Sequence, residues 1–304
     1  NQEEQSFFVG IRSTFYRLSS IFGQGVLVYI AGRLEKSTGN IPLSWQITMG
    51  ITAVMFCVLT LYHTFSLPRP AADEPHMRQA ASGRAKETLS EFARTFYTYF
   101  SKPGVWLAIV FMLLYRLPEA FLLKMVNPFL LDPQAQGGLG LDTDTVGIVY
   151  GTIGVLALTI GGIIGGIAAS RWGLRKALWP MAASITLPCL AFVYLSVFLP
   201  TNITVISVCV AADQFGYGFG FTAYMLYMMY FAKGEFVTAH YAICTAFMAL
   251  SMMIPGMFAG YLQELVGYDW FFGIVMLCCL ATVVTTFLVR EKVDPSYGKK
   301  QTDE

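Results

Sequence analysis

The sequence predicts an all-α integral membrane protein with about eight transmembrane helices. Of its 304 residues, 55% are hydrophobic and only 13% are charged, and the mean hydropathy is +0.56. About a quarter of the residues in a soluble domain are charged, so this composition indicates a surface that meets lipid more than water. The apolar residues also gather into runs of about 20, the length that a helix needs to cross the hydrocarbon core of a bilayer.

The predicted spans differ in how apolar they are. Arg12, Arg17 and Gln24 make the first apolar run polar, whereas the last six runs are strongly apolar. Turn-forming stretches separate neighbouring runs, such as STGNIP after the first and DPQAQGGLG after the third. The eight spans are predicted at residues 11–34, 44–66, 105–131, 145–170, 177–199, 204–231, 237–265 and 270–289.

The longest connector, residues 67–104, has two parts of different composition. Its first part contains PRPAADEPHMRQAASGR, which is rich in proline and polar residues and predicts a flexible linker. In its second part Leu89, Phe92, Phe96 and Phe100 recur at helical spacing, and charged residues occupy other positions. This pattern is typical of an amphipathic helix that lies on a membrane surface.

Lysine and arginine orient the spans, because basic residues accumulate in cytoplasmic loops. Alternating the connectors places nearly all of the 20 basic residues on one side of the membrane, the side that also holds the end of the chain. We therefore expect a multi-pass protein with a cytoplasmic C-terminus. The chain begins with NQEEQ rather than methionine, and we expect it to be an N-terminally truncated chain.

Several classes of function are disfavoured. A net charge of +1 gives no sign of a nucleic-acid partner. The six cysteines lie within apolar runs without CxxC spacing, and the three histidines form no ligand cluster, so neither a metal nor another cofactor is expected. No GxSxG, HExxH or P-loop pattern occurs. We expect no catalytic residues, and therefore not an enzyme.

The third span carries charges at mid-depth. Arg116 lies about 17 Å into the membrane if the helix rises 1.5 Å per residue, and Glu119, Lys124 and Asn127 follow on or beside the same face. Pro118 interrupts the backbone ladder and permits a kink. Ionisable residues inside spans commonly mark transport paths, so these four are candidates for substrate binding or proton coupling. The alternative is a structural Arg116–Glu119 pair.

The sixth span carries the second polar group. Asp213 and Gln214 lie at mid-depth, and Tyr217 and Tyr224 follow among glycines. Asp213 is a candidate proton site or partner of Arg116, while the tyrosines suit contacts with sugar rings or, alternatively, packing within the helix bundle. Gln24 of the first span is a further candidate for lining a cavity.

The stretch GGIAASRWGLRKAL resembles the cytoplasmic loop motif of the major facilitator superfamily, in which a small-residue helix end precedes Asp-Arg-x-Gly-Arg-Arg/Lys. Ser170 replaces the usual aspartate of that motif, and Leu174 displaces one basic residue. The matching positions are Gly166, Arg171, Gly173, Arg175 and Lys176.

This resemblance implies a domain organisation. The loop joins helices eight and nine in the superfamily, so the third and sixth spans would be helices seven and ten, which line the central cavity. Residues 1–67 would then hold the last two helices of the N-terminal half, family helices five and six, and the first four would be missing. Residues 68–104 would be the cytoplasmic linker with its surface helix, and residues 105–304 the C-terminal six-helix half with a cytoplasmic tail.

Two further segments, YRLPEAFLLKMVNPFLL and HYAICTAFMALSMMIPGMFAGYLQELVGYDWFF, resemble AmpG-type muropeptide permeases. That resemblance implies a monomer in the bacterial inner membrane that imports peptidoglycan fragments, anhydro-muropeptides, in symport with protons by alternating access. Its partners would be the small-molecule substrate, protons and the lipid bilayer. The alternatives are a major facilitator transporter of another solute, such as a sugar, drug or acyl-CoA-like molecule, and a non-transporting membrane sensor or scaffold.

Overall fold

A computed structural model describes residues 37–66, 84–141 and 143–298, together with isolated positions between residues 11 and 34. These residues form helices and their connections and contain no strand. Within them, six helical stretches are long and apolar enough to cross a membrane. The predicted all-α membrane class is therefore confirmed. The predicted first span, residues 11–34, lies largely outside the described residues, as does the proline-rich part of the long connector.

The helices are numbered in chain order. They are α1 (Ile41–Ser66), α2 (Arg84–Phe100), α3 (Val105–Leu114), α4 (Leu117–Leu131), α5 (Thr143–Val146), α6 (Val155–Trp172), α7 (Leu174–Thr186), α8 (Cys189–Phe198), α9 (Ile203–Ala232) and α10 (Val237–Arg290), and a π-helical segment, Gly147–Gly154, leads into α6.

Helix α10 contains the last two predicted spans. Gly267 divides it, with φ 76° and ψ 170°, which lie outside the helical region. A positive φ is readily adopted by glycine because it has no Cβ, so this residue ends the first arm of α10 and allows the second arm to begin. The two spans predicted at 237–265 and 270–289 correspond to these two arms.

The described part of the chain divides into two compact units, one within Phe15–Glu91 and one that begins at Phe92. The smaller unit contains α1, whose start is capped by Asn40, because its side-chain oxygen accepts a hydrogen bond from the Leu43 amide at 3.1 Å. The larger unit begins within α2 and contains α3 to α10. It contains two clusters of buried apolar side chains and the candidate site.

Helix α9 packs closely against α6 and α7 in the larger unit. Gly161 of α6 lies so near the Phe215 carbonyl oxygen that a Cβ at this position would overlap it, and Gly216 is similarly close to the Ser184 carbonyl oxygen. Small residues let helix backbones approach within a membrane protein, where packing rather than water exclusion drives association. The glycines of the sixth span therefore fix the position of α9, the helix that carries the second polar group.

The third predicted span is broken in the middle. Helix α3 ends at Leu114 and α4 begins at Leu117, and Pro118 lacks the N–H that would bond the preceding turn. The Tyr115 carbonyl oxygen accepts a hydrogen bond from Thr282 Oγ1 of α10 at 3.0 Å. A backbone carbonyl at membrane depth needs such a partner because no bulk water is present. The second arm of α10 thus stabilises the break.

The last described residues fold back onto the ends of the helices. The Leu174 amide donates to the Tyr297 carbonyl oxygen at 2.9 Å, and the Tyr230 hydroxyl donates to the Lys292 carbonyl oxygen at 3.3 Å. Tyr297 is buried, and the Lys233 Nζ lies 4.2 Å from its ring centroid. Hydrogen bonds from Ser296 to the Asp294 carboxylate hold the pKa of Asp294 below its ordinary value. This docked tail, residues 291–298, closes one end of the larger unit.

Gly161→Ala should destabilise the protein by about 1–3 kcal/mol, the usual cost of overpacking a close contact. The matched control is Gly260→Ala, where an added Cβ meets nothing within 4 Å, and the better helix propensity of alanine should leave stability unchanged or raised. Thermal unfolding of the purified protein in detergent measures both. Equal unfolding temperatures for the two variants would contradict the close approach of α6 and α9.

Thr282→Val should destabilise the protein by about 1–3 kcal/mol, because it leaves the Tyr115 carbonyl without its hydrogen bond. Thr286 offers a matched control one turn further along α10. It is as fully buried as Thr282, and its hydroxyl has no hydrogen-bond partner among the described residues. Thr286→Val should therefore be neutral or stabilising in the same unfolding assay. A similar loss in both variants would show that Thr282 acts only through packing.

Candidate functional site

The break between α3 and α4 presents a buried ion pair. Arg116 occupies the position before α4, and Glu119 lies in the first turn of α4, where the helix dipole favours a negative charge. The Arg116 Nε and Glu119 Oε2 atoms are 3.3 Å apart, and the two residues are 4% and 6% exposed. The predicted proximity of these two charges is therefore present in the structure, and it lies within a membrane-length stretch, Val105–Leu131.

Aromatic side chains of α9 surround the Arg116 guanidinium. Its central carbon lies 5.3 Å from the ring centroid of Tyr217, 4.7 Å from that of Phe221 and 5.8 Å from that of Tyr224. An Arg116 Nη2 hydrogen also bonds the Tyr217 hydroxyl. These three residues follow i, i+4, i+7 spacing, so they share one face of the helix. We call them, with Arg116 and Glu119, the arginine cage.

A second layer of aromatic contacts holds the arginine cage. The Tyr115 and Tyr224 rings stack with their centroids 5.5 Å apart. The Tyr115 hydroxyl donates to the Gly220 carbonyl oxygen at 3.1 Å, and the Tyr224 hydroxyl donates to the Met112 carbonyl oxygen at 2.7 Å. Each hydroxyl therefore bonds the backbone of the opposite helix. The predicted sugar contact by Tyr224 would have to compete with this bond.

Asp213 and Gln214 lie buried on α9 one turn before the arginine cage, at 7% and 5% exposure. The Gln214 Nε2 atom donates to Asp213 Oδ2 at 3.2 Å. Asp213 is within electrostatic range of Glu119, whereas the bonds of Arg116 go to Glu119 and Tyr217. Among the described residues, the bond of Asp213 is therefore to Gln214, and the predicted partnership of Asp213 with Arg116 is not formed.

The other predicted site residues lie apart from the arginine cage. Lys124 and Asn127 are exposed further along α4, and the Lys124 side chain lies against Gly256 of α10. Gln24 falls outside the described residues. Phe221 and Tyr115 belong to the site although the sequence reading did not select them. For Phe221 the sequence carries a signal, since it follows Tyr217 at i+4 on α9. Tyr115 lies at the end of another helix, and only the fold brings it next to Tyr224.

The loop motif joins α6 to α7. Gly173 has φ 75° and ψ 159°, a conformation that favours glycine, and Gly166 is buried on α6. Arg175 forms an ion pair of 2.8 Å with Glu291 of the docked tail, and the Arg290 Nε atom donates to the Arg175 carbonyl oxygen at 3.3 Å. Arg171 and Lys176 are exposed. Glu291 thus gives this loop an acidic partner from outside the motif.

The arrangement can bind an anion and hold a proton. A desolvated guanidinium forms strong charge-assisted hydrogen bonds with carboxylates, and the two buried carboxylates on α4 and α9 provide sites for a proton. In the part of the chain that the structure describes, no group of His, Cys, Asp and Glu side chains is placed to hold a metal ion.

Comparison of the sequence with known proteins identifies a family. The sequence matches the Major Facilitator Superfamily over residues 1–239 and again over residues 120–304. It is 26% identical to a Rickettsia prowazekii protein named as an AmpG 2 transporter, over 90% of this chain and 62% of that protein. It is 22% identical to the anhydromuropeptide permease of Escherichia coli, over 96% of this chain and 55% of the permease.

The fold is similar to that of a solved transporter structure. A crystal structure of a POT peptide transporter in complex with alafosfalin superposes with a TM-score of 0.55 and 18% identity, over 67% of this chain and 43% of that one. The present chain spans 62% of the length of the AmpG 2 relative. Membership in a superfamily of transporters agrees with the prediction that this is not an enzyme. The chain belongs to the Major Facilitator Superfamily.

Proposed function

We propose that this protein imports anhydro-muropeptides across the bacterial inner membrane in symport with protons. The observation that carries the proposal is the arginine cage, a buried Arg116–Glu119 pair faced by aromatic rings within a membrane-length helix. The names of the AmpG 2 relative and of the Escherichia coli permease support the substrate class. Such a fragment carries sugar rings and a peptide with carboxylates, which suit aromatic faces and a guanidinium.

Arg116 has the donors to recognise a carboxylate without releasing Glu119. A guanidinium carries five N–H groups. In the described part of the chain, one of them donates to Glu119 and another to Tyr217. The remaining donors can form a bidentate contact with a substrate carboxylate, a contact that is strengthened where water is excluded.

Glu119 and Asp213 provide the proton site in this proposal. Two carboxylates that share a low-dielectric site cannot both remain charged without a large cost. Arrival of a substrate carboxylate at Arg116 adds a third negative charge and favours proton uptake by one of them. Departure of the substrate removes that charge and favours proton release, which couples the two movements.

Alternating access would move the two halves of the transporter about this site. We propose the organisation that the loop motif implies, with residues 1–67 in the N-terminal half, 68–104 as the cytoplasmic linker and 105–304 as the C-terminal half. The excess of basic residues supports a cytoplasmic position for the loop motif and the docked tail. The protein would act as a monomer.

Arg116→Lys should weaken the apparent affinity for substrate roughly tenfold to hundredfold, because a lysine keeps the charge but loses the bidentate contact. Concentration-dependent uptake of labelled anhydro-muropeptide into proteoliposomes measures the change. Arg94→Lys is the control, since Arg94 pairs with Glu235 in an exposed position outside the spans. Unchanged affinity in Arg116→Lys would remove Arg116 from substrate recognition.

Uptake of labelled anhydro-muropeptide by cells should collapse when a protonophore is added. Glu119→Gln or Asp213→Asn should abolish this dependence, with Glu264→Gln, an exposed carboxylate on α10, as the control. If both neutral variants transport with an unchanged response to the protonophore, the proton site lies elsewhere. These uptake assays use the full-length protein that contains this chain. If that protein, without substitutions, reaches the membrane and moves no muropeptide, the substrate belongs to another class or the protein senses rather than transports.

A further inference from the structure

The three aromatic residues of the arginine cage make different contacts. Tyr217 accepts a hydrogen bond from Arg116 through its hydroxyl, and the Tyr224 hydroxyl bonds the Met112 carbonyl. Phe221 has no hydroxyl, yet its ring lies closest to the guanidinium carbon, at 4.7 Å, and its side chain is 8% exposed. Its contribution to Arg116 is therefore made through the face of the ring.

A ring face stabilises a guanidinium in a way that hydrogen bonds cannot. The negative face of the ring attracts the cation, and the attraction grows when both groups are removed from water. Phe221 has no oxygen or nitrogen acceptor in its side chain, so the contact takes up none of the five N–H groups in a conventional hydrogen bond. Phe221 can therefore hold Arg116 in place while leaving its donors available to a ligand.

We infer that Phe221 is the positioning residue of Arg116, and that its ring face presents the guanidinium to anionic groups of the substrate. The ligand part of this inference rests on the proposed function. The contact orders Arg116 before the substrate arrives, so binding does not have to restrict a long, flexible side chain. Loosening the ring contact should weaken the binding of carboxylate-bearing substrates more than it slows their movement across the membrane.

The first test needs no substrate. Phenylalanine at position 221 is replaced by analogues with one, two and three ring fluorines, which weaken the negative ring face stepwise with little change in shape. The unfolding temperature of the purified full chain should fall stepwise, and the trend should vanish in an Arg116→Leu background. Phe219 is the matched control, because it lies on the same helix at 9% exposure and has no cation over its ring among the described residues.

Two outcomes of this test overturn the positioning role. One is an unfolding temperature that does not change with fluorine number at position 221. The other is the same trend at position 219 or in the Arg116→Leu background, which would assign the effect to packing. Because the fluorinated rings keep the volume of the side chain nearly constant, the test does not depend on the folding of a cavity variant such as Phe221→Leu.

The second test measures selectivity in proteoliposomes. With trifluorinated Phe221, the KM for a muropeptide with a free peptide carboxylate should rise about tenfold, while kcat changes less and the KM for the amidated form stays constant. An equal rise in KM for both substrates would overturn the role of Phe221 in selectivity. Its role in positioning Arg116 would then be decided by the unfolding temperatures alone. A parent protein that moves neither substrate would overturn the proposed function and the ligand part together.

Discussion

The arrangement of the helices depends on the need to stabilise the charge of Arg116. Its guanidinium lies within a membrane-length stretch, and the residue is only 4% exposed. A charge at that depth is costly unless other groups replace its water. Here one carboxylate, one hydroxyl and three ring faces replace it, and they come from two helices. The carboxylate lies three residues away on the same chain segment, but the rings belong to α9. The charge is therefore tolerated only where α4 and α9 keep their relative positions.

Other features of the larger unit serve that requirement. The glycines of α6 and α9 allow the two backbones to approach closely, which fixes α9 against its neighbours. The interruption at Tyr115 and Arg116 turns the arginine toward α9, and Thr282 of the second arm of α10 bonds the carbonyl that the break frees. The site thus depends on four helices, α4, α6, α9 and α10, of which only α4 and α9 carry its polar groups. A helix break usually costs stability. Here it gives Arg116 a non-helical backbone conformation, which lets its side chain reach the aromatic rings of α9.

The fold class and the polar core of the site were predictable from the sequence, because both follow from local patterns. Apolar runs of membrane length and turn residues give the spans, and charges within a span are conspicuous wherever they occur. The pairing of Arg116 with Glu119, which the sequence suggested as the structural alternative to a transport role, needs only their i, i+3 spacing. The role of Phe221 was not predictable in this way, since a phenylalanine in an apolar span is ordinary and its value depends on which residue faces it across the bundle. The same reason applies to Thr282 and to Glu291, whose partners lie more than a hundred residues away.

The docked tail has a practical consequence for handling the protein. Because Val293 and Tyr297 are part of the buried cluster that also holds α3, α7 and α9, the chain does not end structurally where its last membrane helix ends. If a fluorescent reporter or affinity tag replaced the chain after Arg290, the protein would lose Val293 and Tyr297 from this cluster. It would also lose Glu291, which pairs with Arg175. A fusion point beyond Gly298 leaves the docked tail, residues 291–298, and its contacts in place.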